Sequence, residues 1–260
     1  MEHLHPVIDQ ALVAHRALVR AGQTEQAHDL VLRILAGYFD RRGLYRTLVK
    51  EWLPPLLKSA NPATRAIALN WLGKSWQTLG DYDRALDYLK QSLAIRREIG
   101  DKKGESVTLN NISNILQARG DYDTALEYSK QDLAICREIG DKQGEGTTLN
   151  NLATLSHARG DYDTALDYLK QSLAILREIG DQAGLCATLF NIGHIHMQKQ
   201  EVQEAMSAWL HVYLIARQIG NAQALQALEG LAKQLGQPGL SFWEQLARRA
   251  APDANGDQPK

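Results

Sequence analysis

Asparagine recurs in this sequence at a spacing that brings amides into register. Asn70, Asn110 and Asn150 stand 40 residues apart, as do Asn111, Asn151 and Asn191. An amide side chain both donates and accepts hydrogen bonds. Such rows can grip the backbone of an extended peptide with little regard for its side chains, or bond across to a neighbouring helix and specify stacking. Lys74 and Asn114 follow Asn70 and Asn110 by four residues, His194 holds the same repeat position, and His157 lies one turn further along, seven beyond Asn150, so a helix presents them on one face. Other chemistry finds no support in the spacing. His194 and His196 are two apart, which points them away from each other on a helix. No carboxylate or cysteine joins them at ligand spacing, so no metal site is expected. Cys136 and Cys186 have no base beside them in sequence, and the acidic residues fall at turns and on charged faces. No GxxxxGK[ST] phosphate loop occurs. These features predict neither a catalytic set nor a cofactor.

The elements that carry these residues follow from a repeat. REIGD occurs at 97–101, 137–141 and 177–181, with RQIGN at 217–221, and GDYD at 80–83, 120–123 and 160–163. Residues 102–141 and 142–181 are identical at 27 of 40 positions. Four units result, 62–101, 102–141, 142–181 and 182–221. Each contains two helical patterns. In the third, Leu149, Leu152 and Leu155 lie three apart, and Ala165, Tyr168, Leu169, Leu173 and Ile175 mark one broad face. Gly80, Gly120 and Gly160 sit where a left-handed C-cap is expected, as do Gly100, Gly140 and Gly180 for the second helix. Asp81, Asp121 and Asp161 are placed to cap the helix that follows. Ala85, Ala125, Ala165 and Ala205 occupy one equivalent position, where a small side chain lets the two helices of a pair approach. Strand signals are missing. The fold class expected is all-α, built from antiparallel helix pairs that cannot bury their apolar stripes alone and must stack.

Outside the units the pattern weakens. Residues 1–61 read as irregular helices over 7–21, 24–40 and 43–58, with Gly22 and Ala27 in the offset of Gly80 and Ala85 and a break at Pro54–Pro55. That pattern suits a degenerate repeat and cap. Residues 222–250 read as a further helix and a capping helix, and 251–260 as a disordered tail. No linker divides the chain. No proline falls between 63 and 237, which leaves the helices of the units uninterrupted.

Composition excludes several classes. Lys plus Arg number 29 against 30 Asp plus Glu, for a formal charge of -1. That balance gives no electrostatic footprint for nucleic acid or anionic lipid. Two cysteines suit free thiols in a reducing compartment. No apolar run reaches 18 residues and the N-terminus has no signal-peptide pattern, so a cytoplasmic protein without membrane contact is expected.

The units carry a recognisable pattern. The first has Leu69, Leu72–Gly73, Trp76, Gly80, Tyr82, Ala85 and Leu89; the second Leu109, Ile112–Ser113, Leu116, Gly120, Tyr122, Ala125 and Ser129. The third has Leu149, Leu152–Ala153, Ser156, Gly160, Tyr162, Ala165 and Leu169; the fourth Leu189, Ile192–Gly193, His196, Gln200, Val202, Ala205 and Trp209. This pattern resembles the tetratricopeptide-repeat (TPR) family in its long, 40-residue form. That form is found in kinesin light chains, polarity adaptors, bacterial peptide-sensing regulators and the C-terminal arms of bacterial signal-transduction ATPases. The segment LYRTLVKEWLPPLL is most similar to the last group.

The resemblance implies a right-handed α-α superhelix whose first helices line a concave groove for a partner's peptide or helix. Carried onto this sequence, the groove comprises Asn70, Lys74, Asn110, Asn111, Asn114, Asn150, Asn151, His157, Asn191 and His194. Asn110, Asn111, Asn150, Asn151 and Asn191 would grip the backbone, with Lys74, Asn114, His157 and His194 tuning specificity. Lys74 is the only lysine or arginine in these columns, so a clamp for two carboxylates is not expected. The function implied is a non-enzymatic protein-interaction module. A sensor arm of a signal-transduction ATPase or effector system, and a self-assembling scaffold, are the other classes.

Overall fold

A computed structural model of the chain describes residues 6–34 and 45–250. The expected disordered tail, and the ends of the helices expected over 24–40 and 43–58, lie partly or wholly outside the described residues. Every regular element described is helical. The order is α1 (Pro6–Arg20), α2 (Thr24–Ile34), α3 (Tyr45–Thr47), α4 (Pro62–Thr78), α5 (Tyr82–Glu98), α6 (Lys102–Ala118) and α7 (Tyr122–Ile139), then α8 (Lys142–Ala158), α9 (Tyr162–Glu178), α10 (Gln182–Gln198), α11 (Val202–Ile219), α12 (Ala222–Gln234) and α13 (Leu240–Ala250). Between α3 and α4 a π-helical turn, Leu48–Trp52, leads into a 3-10 turn, Pro54–Lys58. The prolines account for that change, since neither can donate the backbone bond an α-helix needs. The chain forms two compact units, 1–135 and 136–260, divided inside α7.

The 40-residue register maps onto helix pairs α4–α5, α6–α7, α8–α9 and α10–α11. Gly80, Gly120 and Gly160 adopt φ of 85°, 79° and 79°, the left-handed conformation expected of them. In the fourth unit the chain makes the same turn with Gln200 at φ 64°, a position where a side chain costs backbone strain. Asp81, Asp121 and Asp161 accept the backbone N–H groups of Arg84, Thr124 and Thr164 at 3.0, 3.3 and 3.1 Å. The final residue of the REIGD connector caps too. Asp101, Asp141, Asp181 and Asn221 accept from Gly104, Gly144, Gly184 and Ala224 at 2.9, 2.9, 2.8 and 3.0 Å. Every first helix from α6 onward is therefore started by a side-chain acceptor for an otherwise unpaired N–H.

Within a pair, closeness is set by small residues. Ala85, Ala125, Ala165 and Ala205 are all fully buried. A second set of positions, 16 residues apart, is matched by size: Gly73 with Leu89, Ser113 with Ser129, Ala153 with Leu169 and Gly193 with Trp209. A Cβ at Gly73 would lie 2.5 Å from Leu89 Cγ, and one at Gly193 would lie 2.3 Å from Trp209 Nε1. In the second unit the two serines instead hydrogen-bond at 2.6 Å. Each pair is thus packed by its own combination.

Apolar clusters are described within each unit. In the first, Val31, Leu48, Trp52, Leu53 and Leu56 pack with Ala68 and Leu72 of α4. In the second, Trp209, Val212 and Tyr213 of α11 pack with Leu228 of α12 and Trp243 of α13. Trp243 is fully buried and donates from Nε1 to Leu228 O at 2.8 Å, which holds α13 against α12.

Candidate partner-binding surface

In the first unit Asn70, Trp71 and Lys74 of α4 face Asn111 and Val107 of α6 across a cleft of about 490 Å³. Asn111 Nδ2 donates to Asn70 Oδ1 at 3.1 Å. That bond crosses from one first helix to the next and leaves Asn70 Nδ2 and Asn111 Oδ1 as a donor and an acceptor of a half-buried pair. Lys74 Nζ stands 5.1 Å from the centre of the Trp71 ring, a cation–π distance. Asn110 and Asn114 pair along α6, Asn114 Nδ2 donating to Asn110 Oδ1 at 3.0 Å, and are not among the walls of the cleft.

The same cleft contains cations outside the groove columns, Arg96 and Lys103. Arg96 is 6% exposed. Its Nε donates to Ser92 Oγ at 3.3 Å and its Nη1 reaches Asp101 Oδ2 at 3.5 Å. Burial pushes the guanidinium below its ordinary value, partly offset by the Asp101 charge. Gly104 makes this possible, because a Cβ there would lie 1.8 Å from Arg96 Nη1. With Lys74, Arg96 and Lys103 against one carboxylate, Asp101, the cleft is more cationic than the groove columns indicate. A signal was present in the sequence: the residues 40, 80 and 120 positions beyond Arg96 are Cys136, Leu176 and Ala216, so one strong cation stands in an otherwise uncharged column.

In the second unit the candidate residues divide. Asn150 is committed to holding helices together. Its Nδ2 donates to Ser172 Oγ at 2.7 Å, Thr188 Oγ1 at 2.9 Å and Gly146 O at 3.1 Å, linking α8 to α9 and α10. Both hydroxyls already donate to backbone carbonyls, Ser172 to Gly146 O and Thr188 to Gly184 O. They must therefore accept from Asn150, which fixes the orientation of its amide and leaves Oδ1 buried without a partner. Asn151 is half-buried on the same helix. Asn191, His157 and His194 line one small pocket of about 90 Å³ with Thr154 and Ala153. Asn191 also borders a larger hollow of about 340 Å³ with Cys186, Phe190, Val212 and Ala224.

His194 lies between aromatic edges, 4.7 Å from Phe190 and 5.4 Å from Trp209 between ring centres. Burial, and secondarily the charge of His157, holds its imidazole below the ordinary histidine value. The neutral ring is the form the fold favours. The protein thus keeps this contribution to stability above the unfolded-state value, about 6.5, and loses it as pH falls from there toward the folded value. NMR titration of the His194 ring should give a midpoint below about 6.5; a midpoint above it would contradict the assigned environment. His157 is held differently, Nε2 lying 2.6 Å from Gln198 Oε1 and its ring 5.5 Å from that of Tyr162.

Among the described residues no group of three or more His, Cys, Asp or Glu side chains converges as a metal site, and no helix is long and apolar enough to cross a membrane.

The repeat seen in sequence and helix pairing corresponds to a known one. The tetratricopeptide-repeat family model matches residues 64–131 and 104–178. Residues 64–178 are tetratricopeptide repeats. A second model, that of anaphase-promoting complex subunit 5, matches residues 149–237 of the TPR array and the helix beyond it. Comparison with curated proteins gives no match. Solved structures share the fold. BtubC (BKLC) from P. vanneervenii is 21% identical with a TM-score of 0.66, over 83% of this chain and 88% of that one. A Signal Transduction ATPase with Numerous Domains (STAND) protein with a tetratricopeptide repeat sensor, from Pyrococcus horikoshii, is 19% identical with a TM-score of 0.68. It is matched over 94% of this chain but only 37% of its own length. A Rap protein complexed with Competence and Sporulation Factor is 16% identical with a TM-score of 0.64, over 96% and 77% of the two chains. The fold of stacked helix pairs is thus common to all of them.

Proposed function

We propose that this protein is a non-enzymatic binding module that holds an extended segment of a partner protein against its first helices. The observation that carries this reading is the cleft between α4 and α6. There an amide pair, Asn70 and Asn111, stands beside three cations in one half-buried space. The amides suit a peptide backbone, which needs both a donor and an acceptor. Lys74, Arg96 and Lys103 suit an acidic side chain on the segment. Arg96 is already desolvated by the fold, so a carboxylate reaching it meets a charge poorly screened by water.

Asn150 takes a structural part in this reading, and the grip rests on Asn70 and Asn111. Once a partner is in hand, the double substitution Asn70→Ala and Asn111→Ala is expected to weaken binding by about tenfold or more, the loss of one to two net hydrogen bonds. Isothermal titration checks it, with circular dichroism to show that the helices persist. Unchanged affinity in a folded double variant overturns the groove reading.

A sensor arm acting on an ATPase or effector domain is the second reading. It is favoured by the likeness to the TPR sensor of the STAND protein, of which this chain spans 37%. It uses the same surface and differs in consequence: occupancy would change the activity of an effector in cis or in trans.

A further inference from the structure

Second-helix arginines at the unit junctions are held by a repeated fork. Arg97 donates from Nε to Glu105 Oε1 at 2.7 Å and from Nη2 to Gln131 Oε1 at 2.8 Å. Arg137 does the same with Glu145 at 2.7 Å and Gln171 at 3.2 Å. One step further along the repeat, Arg177 should meet the residues at 185 and 211. These are Leu185 and His211. Leu185 is 5% exposed against 7% and 6% for Glu105 and Glu145. It fills the place of the glutamate without bringing its charge. His211 turns Nδ1 to Ser207 O at 2.8 Å. Among the described residues the Arg177 side chain has neither an ion pair nor a hydrogen bond, and it is exposed.

A third departure opens space beside it. Tyr88, Tyr128 and Tyr168 occupy one position of the repeat, and in the fourth unit that position is Ala208. Asp163 and Asp167 likewise become Gln203 and Ser207, while Thr164 becomes Glu204. The result is a cleft of about 460 Å³ walled by Arg177, Leu189, Gln203, Glu204, Ala208 and His211. Its walls come from the second helices α9 and α11 and from Leu189 of α10, and it shares no residue with the first-helix surface considered above.

We infer that this cleft is a docking site for a partner-protein segment that presents one carboxylate beside an aromatic ring. The carboxylate takes the Arg177 fork that glutamate fills in the two preceding junctions, as a charge-assisted hydrogen bond. The ring covers Leu189 in the space left where tyrosine gives way to alanine. Glu204 on the same wall repels a second acid and limits the segment to one.

The test uses capped tetrapeptides against the full chain, read by NMR at the backbone amides, from which the affinity of every variant is taken, and at the arginine Nε–H groups. Acetyl-Gly-Glu-Phe-Gly-amide should shift Arg177 selectively. The Gln-Phe and Glu-Ala versions should each bind about tenfold more weakly, for loss of the charge-assisted bond or the ring. Arg177→Gln should abolish the effect. Leu185→Glu, which rebuilds the fork internally, and Ala208→Tyr, which rebuilds the plug, should each weaken it by about tenfold. Arg177→Gln alters only an exposed side chain, so it remains informative should Leu185→Glu fold poorly. The proposal fails if Arg177 does not respond to the Glu-Phe peptide. It also fails if Ala208→Tyr and Arg177→Gln leave the affinity unchanged, or if the peptide shifts only the first-helix residues Asn70, Lys74 and Asn111. A mass that rises with concentration in ultracentrifugation, and that Arg177→Gln abolishes, would assign the cleft to a second copy of this chain and overturn a heterologous partner.

Discussion

Trp209→Ala is expected to cost about 3–5 kcal/mol of local stability, the range for emptying a buried aromatic site. Trp209 is fully buried, its ring centre 6.4 Å from that of Trp243 and 5.4 Å from that of His194. Its Nε1 donates to Phe190 O at 3.2 Å. The substitution therefore removes apolar area, leaves a cavity against Gly193 and loses the indole hydrogen bond. Gly193, which faces the indole most closely, has no side chain to extend into the space. The loss should also be regional. In a stack each pair is supported only by its neighbours, so α10 to α13 should open together while α4 to α6 hold. Native-state hydrogen exchange separates these outcomes. A loss below about 1 kcal/mol, or one spread evenly over the chain, would contradict the packing assigned to Trp209.

Ser129→Leu is expected to cost about 1–3 kcal/mol by overpacking, and adding Ser113→Ala should recover part of it. Ser129 is 2% exposed, and the hydroxyls of Ser113 and Ser129 are already 2.6 Å apart. A leucine Cγ placed near that hydroxyl position has no room beside Ser113 Oγ. The double variant recreates Ala153 with Leu169, the combination that packs in the next unit, where both are buried. Residues in direct contact couple by about 0.5–3 kcal/mol, so the double variant should be more stable than the sum of the singles. Urea unfolding of the four members of the cycle measures it. Strict additivity would show that the two positions do not share one packing site.

How much of this was legible in the sequence depends on the range of the interaction. The helices, their turns and their caps rest on residues within a few positions of one another, such as Gly120 with Asp121 and Thr124. Local backbone preference decides those contacts, and the fourfold register repeats the signal. The helix-pair fold was accordingly readable, as was the family pattern, even across the fourth turn, where Gln200 takes the glycine's conformation. The groove columns were readable as positions on a face.

What those residues bond to was decided only by tertiary structure. Asn70, Asn110 and Asn150 are one column in sequence. Asn70 accepts from the next first helix, Asn110 pairs along its own, and Asn150 ties three helices together. The difference comes from what stands 22 to 41 residues away, including Ser172, Thr188 and Asn111, and no local preference encodes it. Arg96 entered the candidate cleft from a second helix, outside the groove columns, with Gly104 of the next first helix leaving room for its guanidinium. By itself the sequence determined the repeat, because a helix pair is a local object. The fold decided which copies of the repeat keep free hydrogen-bonding groups and open charge, because those depend on whether a neighbouring pair supplies the partner.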